Sequence, residues 1–171
     1  MGWTRRYKVF VSVFCVAFVL SVSTLVFATV NYLEFYVALN NLYLRVDSFD
    51  YEIFELGGRK IVCVNGNLTL IHNSSYNGLV LESVYVSMFL EGESQPFFER
   101  RFWLDGESLP PFSSVFLVVK NQNLTNNIEG FVQLKEQGES VDLTVKTCVF
   151  IYVFGGPFAT KVFLEDFELT I

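Results

Sequence analysis

The longest uninterrupted run of hydrophobic positions comes near the start of the chain. Val9 to Val30 spans 22 residues without a charged residue, Gly or Pro, and about 20 apolar residues suffice to cross the hydrocarbon core of a bilayer as a helix. No polar face interrupts the run, so a core helix of a water-soluble protein does not explain it. The pattern predicts a transmembrane helix over residues 9–30.

Charged residues on either side of this run predict its orientation. Arg5, Arg6 and Lys8 precede it, and no Lys or Arg follows it until Arg45. Because positive charge stays on the cytoplasmic side, we expect residues 1–8 to form a cytoplasmic basic flank and everything beyond residue 30 to lie outside the cell. Aromatic residues stand at both ends of the run, where they anchor membrane spans at the interface: Trp3, Tyr7, Tyr32, Phe35 and Tyr36.

A cleavable secretory signal peptide is the alternative interpretation of this segment. Val26-Phe27-Ala28 ends in a small residue that is acceptable at a cleavage site. The hydrophobic region is long for a signal peptide, which favours an uncleaved signal-anchor.

The apolar spacing then changes from the helical period to the strand period. Three-to-four spacing continues through residues 31–42 and predicts a helical stalk. From Tyr43 onward alternation takes over, with Leu44 and Val46 on one face. The next apolar residues lie on the opposite face, so the phase switch near Ser48 predicts a bulge or a strand that crosses between sheets.

Further alternating stretches predict a β-rich domain over residues 43–171. They are IVCVNGNLTLIHN, LVLESVYVSMFLEGE, FFERRFWL, SSVFLVVK, VDLTVKTCVFIYVF and TKVFLEDFELTI. Loops are predicted at residues 72–78 and 105–111, and turns at Gly57-Gly58-Arg59, Glu91-Gly92-Glu93 and Gly155-Gly156-Pro157. Roughly seven strands at this spacing predict an antiparallel β-sandwich.

One segment breaks the strand pattern and predicts a short helix. Its apolar residues follow helical spacing, and either Asn123 or Thr125 could cap its N-terminus. The stripe consists of Leu124, Ile128, Phe131, Val132 and Leu134. The predicted fold is therefore mainly β with one short helix, behind an N-terminal transmembrane helix.

Composition limits the classes of function. The chain has 171 residues and a net charge of −6, with a sequence pI near 4.8. Its positive N-terminus lies on the other side of the predicted membrane, so the outer domain is acidic. Nucleic-acid binding and docking onto anionic lipid both need basic clusters, and the outer domain has none.

Catalytic or metal-binding residues are sparse. A Ser-His-Asp triad or a His-based metal site would depend on His72, the only histidine, and an ordinary exposed or loop-bonding histidine is expected there. The Gly-Gly pairs precede no helix, so they predict turns and not phosphate loops. Acidic residues cluster at Glu91, Glu93, Glu99, Asp105 and Glu107 and again at Glu165, Asp166 and Glu168. Their spacing fits no calcium loop, so we expect a solvated acidic surface, no metal, no cofactor and no enzyme.

Asn67, Asn73 and Asn123 each begin an Asn-X-Ser/Thr sequon beyond the predicted span. All three lie on the predicted outer side of the membrane, where N-glycosylation would take place in a host that has the machinery. Glycosylation of at least one of them is expected under that condition.

Cys63 and Cys148 are the only cysteines of the outer domain, since Cys15 lies within the span. Both point away from the apolar faces of their predicted strands, which excludes a bridge through the sandwich core. Two free thiols are expected, and a disulfide is the alternative only if the two strands are neighbours in one sheet.

The order of these stretches resembles the group 2 late-embryogenesis-abundant (LEA) family, whose core is called the water-stress-and-hypersensitive-response domain. The resemblance lies in NLTLIHNSSYNGLVLESVYVSMFLEG, in LPPFSSVFLVV and in the helix and hairpin from Asn123 to Ile171. It implies an immunoglobulin-like or fibronectin-like sandwich, no cofactor and a role in desiccation or stress, and several members stand behind one membrane anchor. The chain has His72-Asn73-Ser74-Ser75 where the family often has Asn-Pro-Asn, and the resemblance supplies no active site.

The leading hypothesis is a non-enzymatic, single-pass membrane protein that acts outside the cell by surface contact. Its partners would be the lipid bilayer, through the helix, and an unidentified protein. Two alternatives stay open: a structural subunit of a cell-surface filament or envelope layer, and an accessory subunit of a membrane complex. A secreted enzyme is the weakest of the hypotheses.

Overall fold

A computed structural model describes residues 5–153 and 159–171, with side chains from Tyr7 onward. The turn predicted at Gly155-Gly156-Pro157 and the interfacial residue Trp3 lie outside these residues. The chain divides into two compact units, residues 1–37 and 38–171. Its helices are α1 (Arg5–Asn40) and α2 (Glu129–Glu136). Its strands are β1 (Leu42–Leu56), β2 (Arg59–His72), β3 (Leu79–Leu90), β4 (Phe98–Leu109), β5 (Ser114–Leu124), β6 (Asp142–Tyr152), β7 (Ala159–Phe163) and β8 (Phe167–Thr170).

The first unit is the apolar part of α1. Among the described residues α1 is the one helix that is long and apolar enough to cross a membrane, and its most apolar window is not buried by other parts of the chain. Four of its hydroxyl groups donate hydrogen bonds of 2.8–2.9 Å to carbonyl oxygens four residues earlier, namely those of Ser12, Ser21, Thr24 and Thr29. Since hydrocarbon offers no partners to polar groups, this internal bonding suits a membrane anchor, although a signal sequence also satisfies the same criterion of length and composition.

The second unit is built from two antiparallel sheets. The three-stranded sheet has the order β1-β2-β5, and the five-stranded sheet has the order β4-β3-β6-β7 with β8 also paired to β6. Together with α2 these sheets confirm the predicted mainly β fold with one short helix.

A β-bulge at Asp47 explains the phase switch in the first strand. The β1–β2 register passes from Val46 opposite Leu68 to Ser48 opposite Asn67, which leaves Asp47 without a partner. Both partners lie in the same sheet, so of the two predicted explanations the bulge is right and the crossing is wrong. The extra residue moves the following apolar side chains back to the inner face.

The inward faces of the two sheets form the core, as the alternation predicted. Each of the following apolar side chains is at most 1% exposed: Val62, Val64, Leu68 and Leu70 on β2, Val84, Val86 and Met88 on β3, and Leu143, Val145, Val149 and Ile151 on β6. Helix α2 closes one end of this core. Phe131 of α2 stacks on Phe97 at a centroid distance of 4.4 Å and meets Tyr51 edge-on at 5.0 Å.

Two predicted boundaries are wrong because strand pairing overrides local sequence signals. Residues 105–109, predicted as loop, belong to β4, where Asp105 and Gly106 adopt positive φ and form an irregular step in the ladder. Leu124, predicted in the helix, pairs with Val62 at the end of β5. Helix α2 therefore begins only at Glu129, and Ile128 occupies its N-cap without a side-chain hydrogen bond.

The last predicted strand is also two strands in the structure. Strand β7 ends at Phe163, and β8 begins at Phe167 after a short break. Both pair with β6, β7 with one half of it and β8 with the other. Each of the two is only four or five residues long. The described part of the chain therefore has eight strands, where the sequence predicted roughly seven.

The packing of Phe98 yields the first prediction. Phe98 is 1% exposed and meets Phe49 of the opposite sheet edge-on at 6.1 Å. Phe98→Ala should lower the free energy of unfolding by about 3–5 kcal/mol, because truncating a buried Phe leaves a cavity. Urea unfolding of the detergent-solubilised chain, followed by circular dichroism, measures the change.

Phe116→Ala is the matched control. Phe116 is 72% exposed, so its truncation should change the free energy of unfolding by less than about 0.5 kcal/mol. Equal effects of the two substitutions would contradict the packing of the two sheets.

Candidate functional site

His72, the residue on which a catalytic or metal site would depend, is completely buried at the end of β2. Its Nδ1 lies 2.9 Å from the carbonyl oxygen of Pro110, and because a carbonyl only accepts, Nδ1 carries a proton and donates. The hydroxyl of Ser74 lies 2.6 Å from Nε2 and donates to it when the ring is neutral.

This histidine ties two loops to the end of a strand. The carbonyl of Pro110 occupies the position that a carboxylate would take in a catalytic triad, and the Ser74 hydroxyl also accepts a hydrogen bond from the backbone N–H of Tyr76 at 3.3 Å. His72 is therefore loop-bonding, as one of the two expectations had it, but buried and not exposed.

The acidic side chains are dispersed. The described residues contain no group of three or more His, Cys, Asp or Glu side chains placed to hold a metal ion. Individual carboxylates instead accept hydrogen bonds from neighbouring strands. The hydroxyl of Tyr85 donates to Glu99, which raises the pKa of Tyr85 to about 12.

The three sequon asparagines lie at separate places and all are exposed. Asn67 lies on the outer face of the three-stranded sheet, where its side-chain amide donates to the Ser48 hydroxyl at 3.0 Å. Asn73 directly follows β2, and Asn123 lies near the end of β5. Glycosylation of any of them stays a prediction.

Cys63 and Cys148 lie in different sheets. Cys63 is on β2 of the three-stranded sheet and Cys148 on β6 of the five-stranded sheet, both on the outward faces that the sequence predicted. The condition for a disulfide, neighbouring strands of one sheet, is therefore not met, and both thiols are free. The alternative of a Cys63–Cys148 bridge is corrected to two free thiols.

Cys148 is buried although it lies on an outward face. Its exposed fraction is 4%. Burial raises the pKa of the Cys148 thiol, and the nearby cations of Lys161 and Arg101 offset part of that rise.

Arg101 contacts two aromatic rings and two polar side chains on the outer face of the five-stranded sheet. Its guanidinium lies 4.0 Å from the ring centroid of Trp103 and 4.4 Å from that of Phe150, both within the range of cation–π attraction. Its Nε donates to the Ser83 hydroxyl at 2.9 Å, and one terminal nitrogen contacts a Glu82 carboxylate oxygen at 3.4 Å.

Similar contacts extend across the sheet. The ammonium group of Lys161 lies 4.5 Å from the ring centroid of Phe163, and Phe150 is opposite Lys161 in the β6–β7 ladder. Trp103 is 59% and Phe163 72% exposed. We call this surface the aromatic–cation face: Arg101, Trp103, Phe150, Lys161 and Phe163.

Sequence reasoning missed this face because its members come from three strands. The spacing of Arg101 and Trp103 within FFERRFWL places both on one side of β4, which is the only local signal. The contacts with β6 and β7 depend on the order of the strands in the sheet. The alternation of residues along a single strand does not predict that order.

A groove lies at the end of the sandwich that carries α2. Its volume is about 870 Å³, between the β1–β2 hairpin and α2. An ion pair crosses it, with Lys60 Nζ 2.5 Å from a Glu136 carboxylate oxygen. Because its lining mixes apolar side chains with charges of both signs, the groove selects no ligand class by itself.

Comparison with known proteins identifies no family. No family model matches the sequence, and no curated protein matches it. Among solved structures the chain is similar to the X-ray structure of a Northeast Structural Genomics Consortium target, SoR45, with 11% identity, a TM-score of 0.49, and coverage of 76% of this chain and 86% of that chain.

Two further solved structures are similar at comparable levels. A protein from Archaeoglobus fulgidus has 12% identity and a TM-score of 0.38 over 74% of this chain and 98% of that chain. The solution structure of a provisionally assigned LEA protein has 15% identity and a TM-score of 0.44 over 91% of this chain and 84% of that chain. At such low identities and scores, these likenesses indicate nothing about activity or partners.

The two outer-domain thiols should differ in reactivity. Cys63 is partly exposed, whereas Cys148 is buried and its pKa is raised, which lowers the fraction of reactive thiolate at neutral pH. In folded protein with Cys15 replaced by Ala, iodoacetamide should modify Cys63 first and Cys148 only after denaturation, as measured by peptide mass spectrometry.

The control adds Cys63→Ser to the protein with Cys15 replaced by Ala. This protein should be almost unreactive toward iodoacetamide while it is folded. Equal labelling rates in the native state, or a mass change on reduction that reveals a bridge, would contradict the arrangement of the two sheets.

Proposed function

We propose that this chain is a single-pass membrane protein whose β-sandwich lies outside the cell and acts by contact with another protein, without catalysis. The observation that carries the proposal is α1. It presents apolar side chains on every side, and its most apolar window is not buried by the described chain. Exposing that much apolar surface to water is strongly unfavourable, whereas a bilayer solvates it.

The distribution of charge supports the orientation. Three positive charges precede the apolar run, and residues 38–171 carry nine Lys and Arg against 17 Asp and Glu, a net charge of −8. The basic flank before the span, together with the absence of Lys and Arg after it until Arg45, fits a cytoplasmic N-terminus.

A non-catalytic role fits the chemistry of the described residues. The only histidine is enclosed by Pro110 and Ser74, so a substrate cannot reach it without opening both loops. The carboxylates accept hydrogen bonds from separate strands and do not converge. The aromatic–cation face, by contrast, offers exposed rings of the kind that dominate contact surfaces.

The relationship to group 2 LEA proteins is part of the proposal. It rests on the spacing of apolar residues and turns in the stretches around His72, Pro110 and Asn123. A role in desiccation or stress follows only if that relationship holds.

Membrane insertion gives a direct test of the anchor. The full chain should stay in the membrane pellet after alkaline carbonate extraction, and protease added outside intact cells should digest the β-domain. Replacing Phe18 and Val19 by Arg should release the protein into the soluble fraction, because each Arg at the centre of a span opposes insertion by about 3 kcal/mol.

Exchanging Phe18 and Val19 is the matched control, since it preserves composition and should leave extraction unchanged. Release of the unaltered chain by carbonate, with a mature N-terminus near Thr29, would show a cleaved signal peptide and end the proposal of an anchor.

Photo-crosslinking tests the contact surface. A benzophenone amino acid at Trp103 should crosslink the full chain to a discrete partner in intact membranes. The same probe at Phe116, which lies on the outer face of the other sheet and is more exposed than Trp103, should give weak or no crosslinks. Stronger crosslinking from position 116 would assign contact to the three-stranded sheet instead.

A further inference from the structure

The aromatic–cation face lies on two adjacent rows of side chains that cross the four strands β4, β3, β6 and β7. From β4 to β7, one row consists of Arg101, Tyr85, Cys148 and Phe163, and the other of Trp103, Ser83, Phe150 and Lys161. Because neighbouring strands are about 4.8 Å apart, each row is about 14 Å long. The two cations therefore belong to strands on opposite sides of the face.

The Arg101 guanidinium lies over Ser83, in the row next to its own. Its Nε donates to the Ser83 hydroxyl at 2.9 Å. The two ladder neighbours of Ser83 are Trp103 and Phe150, whose ring centroids lie 4.0 Å and 4.4 Å from the guanidinium. These contacts hold the group in one position, so binding a further molecule there costs little side-chain entropy.

Most of the hydrogen-bonding capacity of this guanidinium is unused. Of the five N–H groups that an arginine carries, one donates to Ser83 and one contacts Glu82 at 3.4 Å. The other three have no partner among the described residues, and the Arg101 side chain is 34% exposed. A planar guanidinium with free N–H groups matches a carboxylate through two parallel hydrogen bonds.

Positive charge on the face exceeds the negative charge that contacts it. Lys161 forms no ion pair with a described carboxylate. Glu99 and Asp166, which are close to the face along the chain, are already engaged by the Tyr85 hydroxyl and by Lys146. Two cations against one contacting carboxylate attract an anionic group locally, although the net charge of −8 on residues 38–171 repels anions elsewhere.

We propose that the protein contacted by this face presents an acidic segment, whose carboxylates are bound by Arg101 and Lys161. Apolar side chains of the same segment pack on Trp103 and Phe163, which are 59% and 72% exposed. These rings flank the cations and exclude water from the new ion pairs, which strengthens them. An extended segment of about four or five residues spans the row length of about 14 Å.

This inference rests on the proposed contact with another protein and adds the chemistry of that partner. Its first test is photo-crosslinking in intact membranes from a benzophenone amino acid at Phe163 of the full chain, which leaves the contacts of the Arg101 guanidinium unaltered. Arg101→Gln should lower the yield of the crosslinked partner at least about tenfold, because it removes charge-assisted hydrogen bonds. Arg101→Lys keeps the charge without the planar pair of donors and should give an intermediate yield.

Lys120→Gln is the matched control. Lys120 is exposed on β5 of the other sheet, so its substitution changes the net charge as much as Arg101→Gln does. The crosslinking yield should then change less than about twofold, which separates a local contact from an effect of overall charge.

The reactivity of Cys148 distinguishes lost binding from a disturbed sheet. Cys148 is opposite Phe163 in the ladder and is 4% exposed, so loosening of the face would expose its thiol to iodoacetamide. In Arg101→Gln without the probe, the thiol should stay unreactive while the protein is folded. If it reacts, Lys161→Gln, which removes the second proposed carboxylate contact, replaces Arg101→Gln with the same expected loss of crosslinking.

A water-soluble carbodiimide identifies the group bound at Lys161. In the unaltered chain it should join Lys161 Nζ to an Asp or Glu carboxyl of the same partner, as an amide bond forms and the carbodiimide leaves as its urea. Peptide mass spectrometry locates both linked residues.

Two results would overturn the inference and leave the contact function standing. One is a crosslinking yield that the Arg101→Gln or substitute Lys161→Gln variant does not lower, and the other is carbodiimide coupling of the partner through other lysines but not through Lys161. Absence of any crosslink from both Trp103 and Phe163 in the otherwise unaltered chain would instead refute the proposed contact function itself.

Discussion

Apolar side chains on every side of α1 are the constraint on which the rest of the protein depends. A helix satisfies its backbone hydrogen bonds internally, and here the four hydroxyl groups of Ser12, Ser21, Thr24 and Thr29 are bonded within the helix too. What the helix lacks is a protein surface to cover it. The β-domain buries its own apolar faces between two sheets and needs no lipid to cover them. One chain therefore combines a helix suited to a bilayer with a domain suited to water.

The outer face of the five-stranded sheet shows how an exposed surface can still be closely packed. Small side chains such as Ser83 and Cys148 are buried there, and Arg101 donates a hydrogen bond to the Ser83 hydroxyl. Aromatic rings attract the cations of Arg101 and Lys161, and Glu82 balances one of them. With Arg101 and Lys161 against Glu82, this face carries a local net charge of about +1 within an acidic domain.

Alternation along single strands was enough to predict most of the core, because the buried apolar positions of β2 and β6, and those of β3 after Glu82, repeat with period two. Prediction from alternation failed where pairing with a neighbouring strand determines the conformation of a residue. Leu124 has helical spacing with Ile128, yet pairing with Val62 keeps it in β5. Asp105 and Gly106 have turn composition, yet the ladder resumes after them. The burial of His72 depends on Pro110, 38 residues away, and no local pattern contains that contact.

Polar residues at the irregular ladder positions explain how these strands keep their apolar faces inward. At the shift in β1, the Asp47 carboxylate accepts from Arg45 Nε at 2.6 Å and from the Thr69 hydroxyl. At the shift in β3, the Glu82 carboxylate contacts Arg101.

The shift between β2 and β5 follows the same rule. There the side-chain oxygen of Asn65 accepts from the backbone N–H of Asn121 at 2.8 Å. A bulge leaves ladder groups unpaired and turns one side chain out of phase. Asn65 accepts from a backbone N–H at its shift, whereas Asp47 and Glu82 accept from side chains of Arg45, Thr69 and Arg101. Since Glu82 also holds Arg101, the bulge in β3 both restores the core and fixes the aromatic–cation face.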